Sequence, residues 1–147
     1  MNATALLPGD FITAAEFGGK TPTLTITDAR LVKVFDEKTG GDKQKGTIFF
    51  RETPRGWILN RTNVLCLMAM FGSETNDWNG KRVTLAAELV QFGRDRVLGI
   101  RVKGSPDLLA PVLAEIKLPR KKPTTMRLVP TGHDQAAATD GADDAAA

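Results

Sequence analysis

Basic and aromatic side chains lie close together along the middle of this 147-residue sequence. Proteins that bind single-stranded nucleic acid combine these residue types. Lys and Arg contact phosphates, and aromatic rings stack on bases, where each stacked base contributes about 1–3 kcal/mol. The sequence predicts a binding surface made of thirteen residues: Lys33, Phe35, Lys38, Lys43, Lys45, Phe49, Arg51, Arg55, Trp57, Phe92, Arg94, Arg96 and Arg101. Because aromatic residues make up 6% of the chain, affinity should depend mainly on charge and therefore on salt.

The run around Phe49 indicates which rings can face a ligand. Side chains alternate between the two faces of a strand. If Ile48 and Phe50 lie in the core, Phe49 and Arg51 point outward, where they can contact a base and a phosphate. The run that contains Trp57 does not settle which of its faces is buried. Ordinary packing is the alternative for each aromatic residue, and a solvated surface is the alternative for each charged loop.

Residues suited to catalysis are scarce. The only histidine, His133, lies in a segment predicted to be disordered, so the predicted domain cannot hold a Ser-His-Asp or Cys-His pair. One histidine and one cysteine, far apart, cannot build a zinc site. Three acidic residues of the first loop could loosely hold a divalent ion, although a solvated surface among lysines is the favoured interpretation: Asp36, Glu37 and Asp42. We therefore expect no enzymatic activity, no metal and no cofactor.

Five predicted strands and one helix must position the candidate residues. Alternation of polar and apolar residues predicts strands over residues 21–35, 46–52, 56–60, 81–92 and 96–103. The helix covers residues 62–71, with Asn60 or Thr62 as its cap and Gly72 at its end. This order predicts an all-β, five-stranded OB-fold barrel with the helix between strands 3 and 4. Such barrels bind oligonucleotides or oligosaccharides through one strand face and two loops.

The two ligand-binding loops of such a barrel would be residues 36–45, which contain three lysines and two glycines, and the turn at 92–96, which contains Arg94 and Arg96 beside Phe92. Within the first strand, Asp28-Ala29-Arg30 interrupts the alternation. This interruption predicts a bulge or bend that lets one long strand serve two parts of the barrel.

The predicted nucleic-acid-binding domain covers residues 1–104 and begins with a lead-in of 20 residues that contains one helical turn near Ala14–Phe17. Residues 105–147 follow as a second region. In it, the sequence predicts a short helix at 106–116, a basic, proline-rich linker at 117–123 and a disordered, acidic tail at 132–147.

Composition fits a cytosolic protein that could bind nucleic acid. The net charge is +3 and the sequence pI is about 9.2. Cys66 is the only cysteine and lies among apolar residues, which predicts a buried side chain and a reducing compartment. No apolar run approaches the roughly 20 residues of a membrane helix, and the N-terminus lacks a secretory signal. We expect a cytoplasmic location, in the host cell if the protein is phage-encoded.

The stretch Leu59-Asn-Arg-Thr-Asn63 and the later run Phe71–Leu85 resemble a family of small phage and prophage proteins, most sharply over Asn76-Asp-Trp-Asn-Gly-Lys-Arg-Val-Thr-Leu85. Members are often found among replication and recombination genes, and many are described only as single-stranded DNA-binding or as hypothetical. The resemblance covers about residues 10–104. It implies a context of replication or recombination, whereas the second run looks structural rather than ligand-binding.

The acidic tail has a separate interpretation. Bacterial single-strand-binding proteins often end in an acidic segment that recruits partner proteins, and the tail here contains four aspartates: Asp134, Asp140, Asp143 and Asp144. The chain ends in three alanines instead of the apolar tip of those proteins. The tail therefore has three alternative roles. It could dock replication or recombination proteins, keep the protein soluble, or compete with DNA for the basic surface.

These features predict a non-enzymatic protein that binds single-stranded DNA without sequence preference, in phage DNA replication or recombination. The main alternative is an OB-like protein-interaction module of a phage or host assembly. A nuclease fragment or regulatory subunit that needs a partner is a third interpretation. The sequence does not decide whether the protein prefers DNA or RNA. It also leaves the oligomeric state open, and a homo-oligomer is one of the possibilities.

Overall fold

The computed structural model describes residues 11–36, 38–92 and 94–131, with the backbone alone at positions 36 and 92. The predicted acidic tail and His133 lie outside these residues. The described chain is β-rich and has one α-helix, as predicted, but it has more strands than predicted. The elements are β1 (Thr23–Asp36), β2 (Gly41–Phe50), β3 (Trp57–Ile58), α1 (Arg61–Phe71), β4 (Arg82–Phe92), β5 (Asp95–Ser105), β6 (Val112–Ile116) and β7 (Thr124–Pro130), with 3₁₀ turns at Ala14–Phe17 and Thr75–Trp78.

Seven strands form one open sheet in the order β3-β2-β1-β4-β5-β7-β6. Neighbouring strands are antiparallel, except that β5 and β7 are parallel. Because β3 and β6 are the two edges, no pairing among the described residues closes the sheet into the predicted five-stranded barrel. Within the described chain, no helix is long and apolar enough to cross a membrane.

β1 is a long strand that serves two partners, as predicted. Its first residues, Thr23 to Thr25, pair with β4, and the register with β2 shifts between Ile26 and Asp28. Glu52 supports this bend, because its carboxylate accepts hydrogen bonds of 2.7 Å from both the backbone amide and the hydroxyl of Thr25. The irregularity therefore lies one residue before the interruption that the sequence indicates.

The helix α1 begins at Arg61 because Asn60 caps it. The Asn60 Oδ1 atom accepts a 2.9 Å hydrogen bond from the Asn63 amide, and Gly72 ends the helix at φ 98°. The helix packs against β5, β6 and β7. The core also includes side chains that are at most 3% exposed on the sheet and in the second 3₁₀ turn: Ile26, Ile48, Trp57, Trp78, Val83, Leu85, Val102 and Leu128.

The first hairpin differs from the prediction. The sequence predicts a loop for residues 41–45, but these residues belong to β2 and pair with β1 in a register that runs to Asp36 opposite Gly41. We call residues 28–36 and 41–49 the first arm. All side chains of residues 41–45 are exposed. Backbone pairing rather than burial therefore holds this segment extended, and no apolar alternation could have predicted it.

The segment after β5 also differs from the prediction. Residues 112–116 form the strand β6 instead of part of a helix, and the predicted linker is the loop of the β6–β7 hairpin. Ala114 and Ile116 are buried and alternate with exposed Leu113 and Glu115, which is the pattern of a strand. Leu128 of β7 enters the same core. The packed body of the protein therefore extends past residue 104 to Thr131.

Candidate nucleic-acid interface

Alternation along the first arm divides the candidate residues between two sides. Side chains of directly opposed residues in antiparallel strands point to the same side. Leu31, Lys33 and Phe35 share a side with buried Ile48 and half-buried Ala29, which we call the core side. The opposite, outer side carries Lys43, Lys45 and Phe49 from β2, with Asp28 and Arg30 from β1. The predicted residues are thus split between the two sides: Lys33 and Phe35 of β1 face away from the candidates on β2. Lys38 lies in the turn between the two strands.

Phe49 lies on the outer side, as the alternation predicts. It is half-buried, whereas Ile48 and Phe50 are 0% and 5% exposed. The guanidinium carbon of Arg30 lies 4.2 Å from the centre of the Phe49 ring. Arg30 was not among the predicted site residues. Its position depends on the pairing of β1 with β2, which brings residues 19 positions apart into contact, so no local sequence pattern could have found it.

Trp57 does not present its ring to a ligand. The prediction that it belongs to the binding surface is therefore corrected. It pairs with Ile48, so it shares the core side, and it is 2% exposed. Its ring stacks on Phe50 with a centroid distance of 6.3 Å and an interplanar angle of 19°. A base could reach this indole only if the core opened. Ordinary packing, the alternative that the sequence left open, is therefore the outcome for Trp57.

Arg55 is engaged in an ion pair with the N-terminal segment. Its guanidinium donates hydrogen bonds to both carboxylate oxygens of Glu16, one of them at 2.8 Å. Hydrogen bonds from Arg55 and from Thr13 lower the pKa of the Glu16 carboxyl to about 2. Arg55 therefore holds the lead-in against the sheet, which leaves its charge less suited to a phosphate than the sequence predicts.

Arg51 follows the end of β2 and remains exposed. Its backbone amide donates to the Thr25 carbonyl at 2.9 Å. One guanidinium nitrogen lies 3.4 Å from the Thr25 hydroxyl. The Arg51 side chain is thus exposed, and its one described hydrogen bond is to Thr25.

The second predicted loop lies at the end of another hairpin, residues 87–92 and 95–100, which we call the second arm. Phe92 pairs with Asp95 at its end, and both Arg94 and Arg96 are exposed, while Gly93 of the predicted turn lies outside the described residues. The side chain of Phe92 lies outside the described residues. Arg101 is half-buried, and one of its guanidinium nitrogens lies 3.5 Å from the Asn60 cap of α1.

The two arms leave the sheet in opposite directions along the strands. β1 and β4 are antiparallel and pair only from Thr23 opposite Thr84 to Thr25 opposite Arg82. From there β1 runs toward the first arm and β4 runs the other way, toward the second. Predicted residues on the arms therefore form separate groups: Lys43, Lys45 and Phe49 share the outer side of the first arm, and Arg94 and Arg96 lie on the second arm.

The described residues bring together neither a metal site nor a reactive thiol. Among them, no group of three or more His, Cys, Asp or Glu residues could hold a metal ion. Glu37, one of the three acidic residues considered for such an ion, lies outside the described part. Cys66 is fully buried, and burial raises the pKa of its thiol to about 11, so the reactive thiolate is disfavoured.

Comparison with known proteins adds no relative. No protein-family model, no curated protein and no solved structure matches this chain.

Proposed function

We propose that this protein binds single-stranded DNA without sequence preference, as a non-enzymatic component of phage DNA replication or recombination. The observation that carries the proposal is the outer side of the first arm, where Lys43, Lys45 and Phe49 of β2 share one side with Arg30. Basic side chains next to an aromatic ring are the two elements of sequence-tolerant single-strand binding. The phage context rests on the resemblance of residues 10–104 alone.

The order of the first five strands is compatible with an OB-like arrangement around this surface. The first five strands lie in the order β3-β2-β1-β4-β5, and the helix follows β3 in sequence. In an OB-fold, the face of strands 2 and 3 and the loops between strands 1 and 2 and strands 4 and 5 hold the ligand. Here the first and second arms replace those loops, and β2 carries the basic residues.

Removal of one outer lysine tests the location. Each phosphate contact that is lost should lower the slope of log affinity against log salt by about 1. We expect Lys45→Ala to lower this slope and to weaken binding of a labelled oligothymidine in fluorescence anisotropy. Lys121→Ala, which removes the same charge from the β6–β7 loop, should leave both unchanged. Equal effects of the two substitutions would show that binding follows net charge and not the outer side.

A protein-interaction module is the second candidate, and the core side of the arms favours it. The first arm carries Leu31 and Phe35 on this side, and the second arm carries Leu89 opposite Leu98 on the side of buried Val102; all four side chains are between 53% and 65% exposed. Each arm thus presents its own pair of exposed apolar groups, and such groups can mark docking surfaces. Sedimentation of the wild type and of Phe35→Asp tests this candidate. A wild-type complex that dissociates in Phe35→Asp would support the protein-interaction module. A wild-type protein that stays monomeric at all concentrations would count against self-association.

A further inference from the structure

We infer that Arg30 and Phe49 form a preassembled platform on which one base of the bound strand stacks. The inference rests on the proposed single-strand binding and goes beyond it, because it names the stacking site and adds Arg30 to it. The occupant is a nucleobase, which is a flat π system, and not a phosphate or an aliphatic side chain.

The geometry holds the guanidinium against the ring. At 4.2 Å from the ring centre, Arg30 is within the range of a cation–π contact. Asp28 accepts a 2.6 Å hydrogen bond from Arg30 Nη1 and so fixes the side chain from the strand itself. The Arg30 side chain nevertheless remains 60% exposed. Phe49 thus supports a guanidinium that stays accessible from solvent, and bases stack on such guanidinium planes as they do on aromatic rings.

Close packing beneath the platform also restricts the position of Phe49. A Cβ atom on Gly56 would lie 3.1 Å from Phe49 Cε1 and 2.7 Å from Thr47 Cγ2. The absence of a side chain at Gly56 therefore lets the ring lie close to the backbone of that turn. A ring held in this way keeps the guanidinium of Arg30 in place, so that a base can stack on Arg30 without a large loss of side-chain freedom.

Lysines along the same side of the arm lead toward this platform. Arg30 lies opposite Thr47, and Lys45 is the next residue of β2 on that side. Residues on one side of a strand recur every two positions, about 6.8 Å apart. Lys43 is one further step away. A strand whose phosphates follow these lysines would therefore bring a base to Arg30 and Phe49.

Arg30→Lys separates stacking from charge, because lysine keeps the positive charge but loses the plane. We expect this variant to bind a labelled oligothymidine about fivefold more weakly than the wild type. The matched control is Arg127→Lys on β7, which should bind like the wild type. Phe49→Leu, which keeps an apolar group but removes the ring, should weaken binding in the same way, and thermal unfolding would check that both variants remain folded.

An abasic oligonucleotide with the same backbone completes the test. It offers phosphates but no bases, so the wild type and Arg30→Lys should bind it equally. An equal loss on both probes would show that Arg30 acts on phosphate, and full affinity of Arg30→Lys for oligothymidine would show that the platform takes no base. Either result overturns this inference but leaves single-strand binding intact. Failure of the wild type to bind any probe would instead overturn the proposed function itself.

Discussion

Gly104 of β5 and Val129 of β7 are in direct backbone contact. A Cβ atom at position 104 would lie 1.8 Å from the Val129 carbonyl oxygen, which is far inside any van der Waals distance. The two residues pair in the only parallel ladder of the described sheet, together with Ser105 and Pro130. This contact joins the β6–β7 hairpin to the strands that carry the arms.

Gly104→Ala should therefore destabilise the whole fold. Overpacking at a site that cannot relax costs about 1–3 kcal/mol, and contact with a backbone atom places this substitution at the upper end of that range. The free energy of unfolding in urea measures the effect. Gly46→Ala is the control, because a Cβ there would meet nothing within 4 Å. Equal unfolding midpoints for the two variants would contradict the β5–β7 contact.

The long first strand, the helix and the second hairpin could be predicted from the sequence, because each has a face that is buried. β6 and β7 could not be recognised so easily. The basic, proline-rich loop between them resembles a linker, and the contacts of Leu128 with the core are distant in sequence. The extended residues 41–45 have no buried face at all, so only backbone pairing reveals them as a strand.

The candidate site was predictable to the extent that it depends on alternation. Phe49 lies outward because Ile48 and Phe50 are buried neighbours. Trp57 belongs to a strand of two residues, which is too short for alternation to decide its side. Arg30 reaches Phe49 only through the register between two strands, and Arg55 is engaged by Glu16 through a contact across 39 positions.

The ion pair between Glu16 and Arg55 predicts a pH dependence. A carboxyl whose pKa is lowered by folding stabilises the folded state above its ordinary pKa, and this contribution is lost as the pH falls toward the folded value. For Glu16 the window runs from about 4.5 down to about 2. NMR titration of the carboxyl carbon should give a midpoint near 2. Arg55→Met should move it toward 4.5, while Arg51→Met should not. A wild-type midpoint at the ordinary value would rule out the pair.

Replacement of Trp57 should lower the stability of the fold and not merely its binding. Truncation of a buried aromatic side chain costs about 3–5 kcal/mol, so we expect Trp57→Ala to lower the unfolding free energy by this amount. Phe35→Ala removes a ring that is 62% exposed and should change stability by less than about 0.5 kcal/mol. Urea unfolding of both variants provides the comparison. A fully stable Trp57→Ala protein would contradict the buried position of the indole.

Binding of an oligothymidine by the wild type, measured by fluorescence anisotropy across a salt series, tests the central claim most directly. Phosphate contacts are strongest at low salt, so binding should be clear at about 50 mM salt and should weaken steeply toward about 200 mM, with log affinity falling linearly against log salt. Oligonucleotides of different sequence should bind with similar affinity. Absence of binding at about 50 mM salt would contradict the proposal that this protein binds single-stranded DNA.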